Sequence, residues 1–246
     1  MDKLIETPQY LIDPGHRITV LVIGCGGTGS YVIANLVSLH LYLIHTGRPG
    51  LNVFVMDDDI VTEANVGRQL FTPSDIGEYK VNAVLDRYNE EFGLRWIGIP
   101  KRFEDDSDEI NANIVFSCVD SISSRKKICK SWSAKSNRYW REYERKHFLI
   151  DCGNGYDYGQ VIVSSQEMPN HNFFHYFADQ VDTPDQPSCS MLESIGKQNL
   201  FINKHISSLA VNWLYEAIRT TQYNNLGCMF NNNSLRLLYH DDCNIS

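Results

Sequence analysis

The sequence has no C-x-x-C pair and no excess of positive charge. Its 7 cysteines are scattered and odd in number, which argues against a disulfide framework and against a Cys₄ zinc site. The chain has 22 lysines and arginines against 30 acidic residues, for a formal net charge of -8. A basic face that could displace nucleic-acid counterions is therefore not expected. We predict no structural zinc and no nucleic-acid partner, and we expect small molecules or proteins as ligands.

The chain also lacks an uninterrupted apolar run of membrane-spanning length. Its most apolar stretch, residues 18–44, is broken by glycines, Asn35 and His40. The first residues are acidic and polar and include Pro14, so they lack the apolar core of a secretion signal. These features predict no membrane span and a cytoplasmic location.

Strand-like apolar runs alternate with helix-like segments through about the first 150 residues, which is the pattern of βαβ units. RITVLVIG, LNVFVMD, LRWIGIP and NIVFSCVD predict four strands, and helices are predicted at 28–43 and 79–92. FLIDCGNG and DYGQVIVSS are joined by a glycine-rich turn, which indicates an antiparallel pair. We predict an α/β fold: a Rossmann-like mixed sheet, with a parallel N-terminal half and an antiparallel C-terminal half, flanked by helices.

The length and apolar content predict one domain. With 246 residues and 43% hydrophobic content, the chain can bury one large core, and we assign a single domain over 1–246. Residues 15–165 form its nucleotide-binding core, and 191–246 contribute a helix, predicted to end near 220, and a terminal hairpin. Between them, 166–190 form a loop without periodicity, and a loop of that length is usually functional or disordered.

A glycine-rich loop, GCGGTGS at 24–30, joins the first predicted strand to the first long helix. Gly24, Gly26 and Gly29 match G-x-G-x-x-G in the required strand–loop–helix context. Glycines let the backbone approach phosphate oxygens, and the N–H groups that open the helix favour negative charge. The loop predicts a nucleotide site. Because G-x-x-x-x-G-K-[ST] is absent, a Walker-type ATPase is disfavoured.

Polar residues follow the second predicted strand. Asp57 ends that strand, where a carboxylate normally binds ribose hydroxyls. It lies farther from Gly29 than the roughly 20 residues of a dinucleotide fold. Asn65, Arg68 and Lys80 come next. Two cations and an amide near the strand ends suit a polyphosphate attacked at its α-phosphate better than a hydride transfer, although each cation alone also fits a solvated surface charge.

Asp120 ends the fourth predicted strand, at the edge where ligands bind in such sheets. Two roles suit it. It could cap the following helix, for which aspartate is well suited. It could also carry Mg²⁺ onto phosphates, because this ion is usually held by one or two carboxylates plus phosphate oxygens.

Taken in order, GCGGTG, DDDIV…NVGRQLF, DIGEYK and FSCVDS…R resemble the ThiF/MoeB/HesA family, whose fold is shared with the adenylation domains of ubiquitin-activating enzymes. The resemblance covers residues 15–165 well and the remainder loosely. The late segment PSCSMLESIGKQNLFINKHI looks like the crossover region of this family. Small members encoded beside a ubiquitin-like protein in bacterial operons, the PRTRC-type ThiF proteins, are similar to it.

The resemblance implies a reaction and a set of residue roles. The family binds MgATP, adenylates the C-terminal glycine carboxylate of a ubiquitin-like or sulfur-carrier protein, and releases pyrophosphate. Its members work as homodimers or pseudo-dimers, and a conjugating enzyme is a further implied partner. The implied roles are phosphate binding by Gly24, Gly26, Gly27, Asn65, Arg68 and Lys80, ribose binding by Asp57, magnesium binding by Asp120, charge stabilisation during attack by Arg68 and Lys80, and thioester formation at Cys189.

The sequence departs from the family pattern in three places. The paired C-x-x-C zinc motifs of many relatives are missing. Only Arg17 stands where relatives carry an arginine that can reach a partner subunit's ATP. Gly67 replaces a usually polar side chain, and the spacing to Lys80 is a residue short.

The candidate thiols and histidines have structural alternatives. Cys189 lies between the long loop and the last long helix, which suits either a reactive thiol or a small packed residue. Cys152, beside glycines at a strand end, is the second candidate thiol. His171 and His175 are four residues apart, but with no third ligand nearby we expect loop packing rather than a metal site.

Two other functions remain open from the sequence. The glycine loop and Asp57 alone would also fit an NAD(P)-dependent oxidoreductase, although no Tyr-x-x-x-Lys pair stands out. The missing arginine and zinc motifs would fit a non-catalytic scaffold of the same fold, although a degenerate copy need not keep both Arg68 and Asp120.

Overall fold

The computed structural model describes residues 4–67, 69–104, 111–135, 147–165, 167–168, 171–182, 199–231 and 234–239. The strands are β1 (Ile5–Glu6), β2 (Ile18–Ile23), β3 (Leu51–Met56), β4 (Ile97–Ile99), β5 (Ile114–Ser117), β6 (Phe148–Asn154), β7 (Tyr158–Ser165), β8 (Gln222–Tyr223), β9 (Asn225–Asn231) and β10 (Ser234–Tyr239). The helices are α1 (Gln9–Ile12), α2 (Gly27–His45), α3 (Lys80–Phe92), α4 (Ile122–Lys135), α5 (Phe173–Phe177) and α6 (Ile202–Arg219).

Eight strands form one mixed sheet in the order β10-β9-β7-β6-β5-β2-β3-β4. Neighbours from β6 through β5, β2 and β3 to β4 are parallel. Neighbours from β6 through β7 and β9 to β10 are antiparallel. The predicted mixed sheet is therefore confirmed, with β6 as the strand that belongs to both halves.

Alternation along the central strands divides the core into two layers. On β2, Val20 and Val22 belong to a large cluster that includes residues of α2, α3 and α6. The intervening Leu21 and Ile23 belong to a second cluster that includes Ile128 of α4. Because successive side chains of a strand point to opposite faces, β2 packs against helices on both sides, and apart from Thr19 its residues are apolar.

Helix boundaries differ from the sequence prediction by short lengths. The first long helix was predicted at 28–43 and extends over Gly27–His45. The last helix is described over Ile202–Arg219, and 191–198 of its predicted range lie outside the described residues. The terminal hairpin is confirmed as β9 and β10. The non-periodic segment contains the short helix α5, whose N-cap Asn172 accepts hydrogen bonds from two backbone N–H groups.

Helix α2 is long and apolar enough to cross a membrane by length and composition, and 56% of its apolar window is buried inside the protein. A buried core helix has the same composition, since a helix that is apolar on most sides must pack in a core or in lipid. Here α2 contacts α6 and β2.

The antiparallel half depends on one close backbone approach, which gives a stability prediction. Gly227 of β9 has φ +121, and a Cβ there would lie 1.9 Å from the carbonyl oxygen of Val161 in β7. We expect Gly227→Ala to lower the free energy of unfolding by about 2–6 kcal/mol, from backbone strain and overpacking together. Urea unfolding measures this change. Gly15→Ala is the control, since a Cβ at Gly15 meets nothing within 4 Å, and equal stability losses in both variants would contradict the interpretation.

Candidate functional site

The carboxyl ends of the parallel strands meet where the strand order reverses. From β2 the chain runs to β3 and β4 on one side of the sheet and to β5 and β6 on the other. Open α/β sheets bind ligands in the crevice at such a switch point. The segments that follow β2, β3 and β5 contain the glycine loop, Asp57 and Asp120 respectively, so the sheet brings these three predicted features to one edge.

The glycine loop is pressed against the segment that follows β5. Gly24 has φ +94, and a Cβ there would lie 2.8 Å from the carbonyl carbon and oxygen of Cys118. A Cβ on Gly29 would lie 1.9 Å from the carbonyl oxygen of Gly24. These two positions therefore require glycine. A Cβ on Gly26 would meet nothing within 4 Å, and among the described residues no side chain caps the N-terminus of α2 at Gly27. The loop has the form of an anion-binding helix N-terminus.

Asp57 holds the loop from the other side. Its Oδ2 accepts a hydrogen bond from the backbone N–H of Cys25, and its Oδ1 accepts one from the N–H of Asp59 at 2.8 Å. Burial raises the pKa of Asp57, while the Cys25 N–H and the Lys80 ammonium act in the opposite direction. The carboxylate is thus partly desolvated and fixed in orientation, as suits a group that accepts hydrogen bonds from ligand hydroxyls.

Lys80, the first residue of α3, is buried with its ammonium beside this cluster. Its Nζ lies 2.6 Å from Oδ2 of Asp59, and the two side chains are 8% and 62% exposed. The Cys25 thiol contacts the backbone carbonyl of Lys80 at 3.6 Å. Cys25 therefore joins the glycine loop to both Asp57 and Lys80. Phosphate contact by Lys80 stays a prediction.

The segment between β3 and α3 places Asn65 in a local structural role. Asn65 is buried, and its Oδ1 accepts hydrogen bonds from the N–H and the hydroxyl of Thr62 at 2.9 and 3.0 Å. Its side chain oxygen thereby stabilises a short 3₁₀ turn over Glu63–Asn65. Arg68 lies outside the described residues, so phosphate contacts by Asn65 and Arg68 also stay predictions.

A buried ion pair supports the loop that carries Asp120. The Arg125 guanidinium donates from Nη1 to both carboxylate oxygens of Asp151 at 2.8 Å. Its Nη2 donates to the backbone carbonyls of Val119 and Cys152. Arg125 and Asp151 are 5% and 3% exposed. The sequence shows Arg125 in the motif FSCVDS…R. Its acidic partner Asp151 lies on β6, and no motif in the sequence marks it.

Asp120 is exposed, and the helix after it is capped by a different residue. Asp182 accepts hydrogen bonds from the N–H groups of Ile122 and Ser123 at 2.5 and 3.1 Å. Ser121 Oγ accepts from the N–H of Ser124 at 3.2 Å. The hydrogen bond from the Ser123 hydroxyl is the largest cause that holds the pKa of Asp182 below its usual range, and the N–H groups of Ser123 and Ile122 act in the same direction. Since Asp182 and Ser121 accept hydrogen bonds from the N–H groups of the first turn of α4, Asp120 does not cap this helix among the described residues.

Of the two candidate thiols, Cys152 lies in the described part of the chain. Cys189 lies outside the described residues. Cys152 is 1% exposed, and a hydrogen bond with the Cys118 thiol, followed by burial, raises the pKa of Cys152 well above its ordinary value. A buried thiol of raised pKa is a poor nucleophile. His171 is buried, with its ring nitrogens 2.9 Å from the Val163 carbonyl and 2.8 Å from the Tyr176 hydroxyl, as expected for packing.

Three consecutive carboxylates offer oxygen ligands at the same edge. Within the described part of the chain, Asp57, Asp58 and Asp59 form the group whose ligand atoms lie close enough together to share an ion, all within 4.8 Å of one another. Asp58 and Asp59 are exposed. Because Asp59 already pairs with Lys80, the group is better described as a local charge cluster than as a ligand cage.

Comparisons with known proteins identify the family and the fold of the chain. A sequence model of the ThiF family matches residues 15–244. Among solved structures, E. coli MccB is similar with a TM-score of 0.61 and 14% identity, over 90% of this chain and 61% of that chain. The E. coli MccB structure with ATP gives a TM-score of 0.59 and 15% identity, over 91% and 63% of the two chains. PaaA gives a TM-score of 0.58 and 14% identity, over 90% and 64%.

The matches cover most of this chain but only part of each solved structure. The chain spans about three fifths of the length of MccB and PaaA. At such identities the likeness shows a shared fold. No curated protein sequence matches the chain.

The buried ion pair beneath the Asp120 loop gives a testable prediction. Arg125→Met leaves the Asp151 carboxylate buried without its cation, and we expect the free energy of unfolding to fall by about 3–5 kcal/mol. Lys127→Gln, on the same helix, removes an exposed pair with Glu104 at 3.4 Å and should change stability by less than about 1 kcal/mol. Urea unfolding compares the two variants. A loss in Arg125→Met as small as that in Lys127→Gln would contradict the assigned role.

Proposed function

Because this chain belongs to the ThiF family, we propose that it transfers AMP from ATP to a carboxylate of a peptide or carrier-protein substrate. The observation that supports this most is the glycine loop itself. It opens an uncapped helix, it is fixed by Asp57 on one side, and it is pressed against the Cys118 backbone on the other. Such a loop suits phosphate oxygens, since backbone N–H groups and the helix dipole both favour negative charge.

The proposed reaction needs the negative charge of the triphosphate to be neutralised while a second anion approaches. A carboxylate oxygen of the substrate attacks the α-phosphorus, the bond to the bridging oxygen of the β-phosphate breaks, and pyrophosphate leaves with that electron pair. In this reaction Gly24, Gly26 and Gly27 line the phosphates and Asp57 accepts from the ribose hydroxyls. Fixed cations stabilise charge that increases in the transition state.

Lys80 is positioned to supply one such cation. Its stem is buried and its ammonium already lies beside Asp57 and Asp59. Asp59 is largely exposed, and ion pairs with an exposed partner are weak. A triphosphate can therefore compete with Asp59 for the Lys80 ammonium. We assign Arg68 and Asn65 to the same phosphates on the family resemblance.

The donor set at this edge fits magnesium. Asp120 provides an exposed carboxylate, and Mg²⁺ is usually held by one or two carboxylates together with phosphate oxygens and water. A bound Mg²⁺ would screen the phosphate charge and orient the pyrophosphate leaving group. Arg125 fixes the backbone before Asp120 through the carbonyl of Val119, which keeps this carboxylate at the strand edge.

For the substrate, we propose a ubiquitin-like or sulfur-carrier protein with a C-terminal glycine, followed by thioester formation at Cys189. A homodimer acting in the cytoplasm, with a conjugating enzyme as a later partner, completes the proposal. Support comes from the family resemblance of the ordered motifs and from MccB, which has been solved with ATP and with MccA. These structures make a peptide or small protein a reasonable acceptor for the adenylyl group.

The adenylation proposal predicts ATP–pyrophosphate exchange that depends on an added carboxylate substrate. Synthetic peptides ending in Gly-Gly, and the same peptides amidated at the C-terminus, are the probes. We expect exchange with the free carboxylates alone, and Asp120→Asn should lower its rate by about 100-fold. Asp86→Asn changes an exposed acid on α3 and is the control.

Two results would contradict the adenylation proposal. One is NAD binding in calorimetry together with no ATP binding. The other is exchange that is equally fast with the amidated peptides, because the attacking carboxylate would then be unnecessary.

The raised pKa of Asp57 predicts a pH-dependent affinity for the nucleoside part of ATP. Burial raises the pKa of this carboxyl group, so its charged form is present above that raised pKa and is lost as pH falls through it. Adenosine is the probe, since it has no phosphate that titrates. We expect its affinity to fall by about tenfold between neutral and mildly acidic pH, as a hydrogen bond to a charged group is lost.

Two variants of neighbouring aspartates test that assignment. Asp57→Asn should bind adenosine weakly at every pH. Asp58→Asn changes an exposed neighbour and should leave the pH dependence of adenosine affinity as in the wild type. Calorimetric titration at several pH values measures both. A profile that survives Asp57→Asn would assign the titration to another group.

A further inference from the structure

We propose that a pocket at the opposite end of the parallel strands binds a small oxyanion of the size of inorganic phosphate. The pocket has a volume of about 70 Å³ and is lined by Arg17, His40, Gly93, Leu94, Arg95 and Trp96. Arg17 directly precedes β2, and Trp96 directly precedes β4. The six residues of β2 separate Arg17 from the glycine loop by roughly 20 Å. This pocket is therefore distinct from the proposed ATP site and does not depend on it.

Two aromatic residues, His40 and Trp96, form the buried part of the pocket lining, which we call its floor. His40 and Trp96 are 5% and 4% exposed, and their rings meet edge to face with centroids 5.9 Å apart. Asn89 fixes Trp96 by accepting from its backbone N–H and donating to its carbonyl, at 3.0 and 2.9 Å. The floor is thus preorganised, which reduces the entropy lost when a ligand binds.

His40 and Trp96 each keep a ring N–H donor, because the one acceptor nitrogen of His40 is already used. Nδ1 of His40 accepts from the backbone N–H of Leu51 at 3.0 Å, so the neutral ring carries its proton on Nε2. Burial, and then the charge of Arg17, lower the pKa of His40, which favours this neutral form. The indole N–H of Trp96 is buried and has no hydrogen-bond partner in the part of the chain that the structure describes. Because this N–H is shielded from solvent, its NMR signal reports changes in the packing of the pocket lining rather than direct contact with a ligand.

Two guanidinium groups flank this floor. Arg17 and Arg95 are exposed, and within the described ranges neither forms an ion pair. None of the residues that line the pocket is acidic, although the chain as a whole has a formal net charge of -8. Guanidinium groups bind oxyanions through paired N–H donors. Donors without a carboxylate in the same pocket lining favour an anion.

The test follows the Trp96 indole N–H signal by two-dimensional ¹H–¹⁵N NMR while inorganic phosphate replaces chloride at constant ionic strength. We expect a saturable shift of the Trp96 signal, which Trp96→Phe assigns. The Trp132 indole is the internal control, since its N–H is also buried without a partner in the described residues, and this residue of α4 belongs to the second core cluster, away from the pocket lining. Acetate in place of phosphate distinguishes a site for tetrahedral oxyanions from a general carboxylate site.

Substitutions of the flanking arginines complete the test. Arg17→Gln and Arg95→Gln should each weaken phosphate binding by about tenfold, since each removes charge-assisted hydrogen bonds. Arg102→Gln, at another exposed arginine, should leave it unchanged. Both pocket arginines are exposed, so thermal unfolding in chloride should match the wild type. A Trp96 signal that responds equally to chloride and phosphate, or equal binding in all three variants, would overturn the proposal.

Discussion

The contact of Gly29 with the Gly24 carbonyl oxygen is the constraint on which the nucleotide site depends. A Cβ on Gly29 would lie 1.9 Å from that oxygen, so the loop can close onto the first turn of α2 only when this residue is glycine. The same closure sets Gly24 against the Cys118 backbone. It therefore fixes the distance between the helix N-terminus and the β5 edge, where Asp120 lies. The proposed phosphate site and the proposed metal site are therefore linked through backbone packing rather than through a side chain.

The two ion pairs at this edge have different physical roles because their burial differs. Arg125 and Asp151 are both nearly excluded from solvent, and such a pair is held by its full set of hydrogen bonds and strongly destabilises the fold when one partner is lost. Lys80 is buried but its partner Asp59 is mostly exposed. When a polyphosphate takes its place beside Lys80, the exposed Asp59 carboxylate can return to water at small energetic cost. The buried pair suits a scaffold, and the half-exposed pair suits a cation that changes partner when a polyphosphate binds.

Features that depend on local period or local order could be predicted from the sequence. The strand runs, the helix after the glycine loop and the position of Asp57 at a strand end all follow from apolar periodicity and from the order of elements. The third strand was predicted from LRWIGIP, but only Ile97–Ile99 pair with β3. The preceding Trp96 is held instead by Asn89 of α3. The strand is shortened by a side-chain contact that a propensity argument does not include.

The parts that could not be predicted join residues far apart in sequence. Asp182 caps α4 across about 60 residues, and Asp151 pairs with Arg125 from a neighbouring strand. Both are single carboxylates in segments without a motif. The sequence therefore suggested Asp120 as a possible helix cap, because a nearby aspartate is the usual choice. The distant cap changes the interpretation of Asp120, since it satisfies the helix and leaves the Asp120 carboxylate exposed at the strand edge.

The two anion sites that we propose lie at opposite ends of the sheet and use different kinds of donor. At the carboxyl ends, backbone N–H groups of a glycine loop and a helix N-terminus supply the donors, and Asp57 adds a fixed acceptor for hydroxyl groups. At the amino ends, the proposed donors are the side chains of Arg17 and Arg95. Backbone donors suit a ligand that must approach closely and leave after reaction. Guanidinium side chains on a preorganised floor suit a small ligand that only binds.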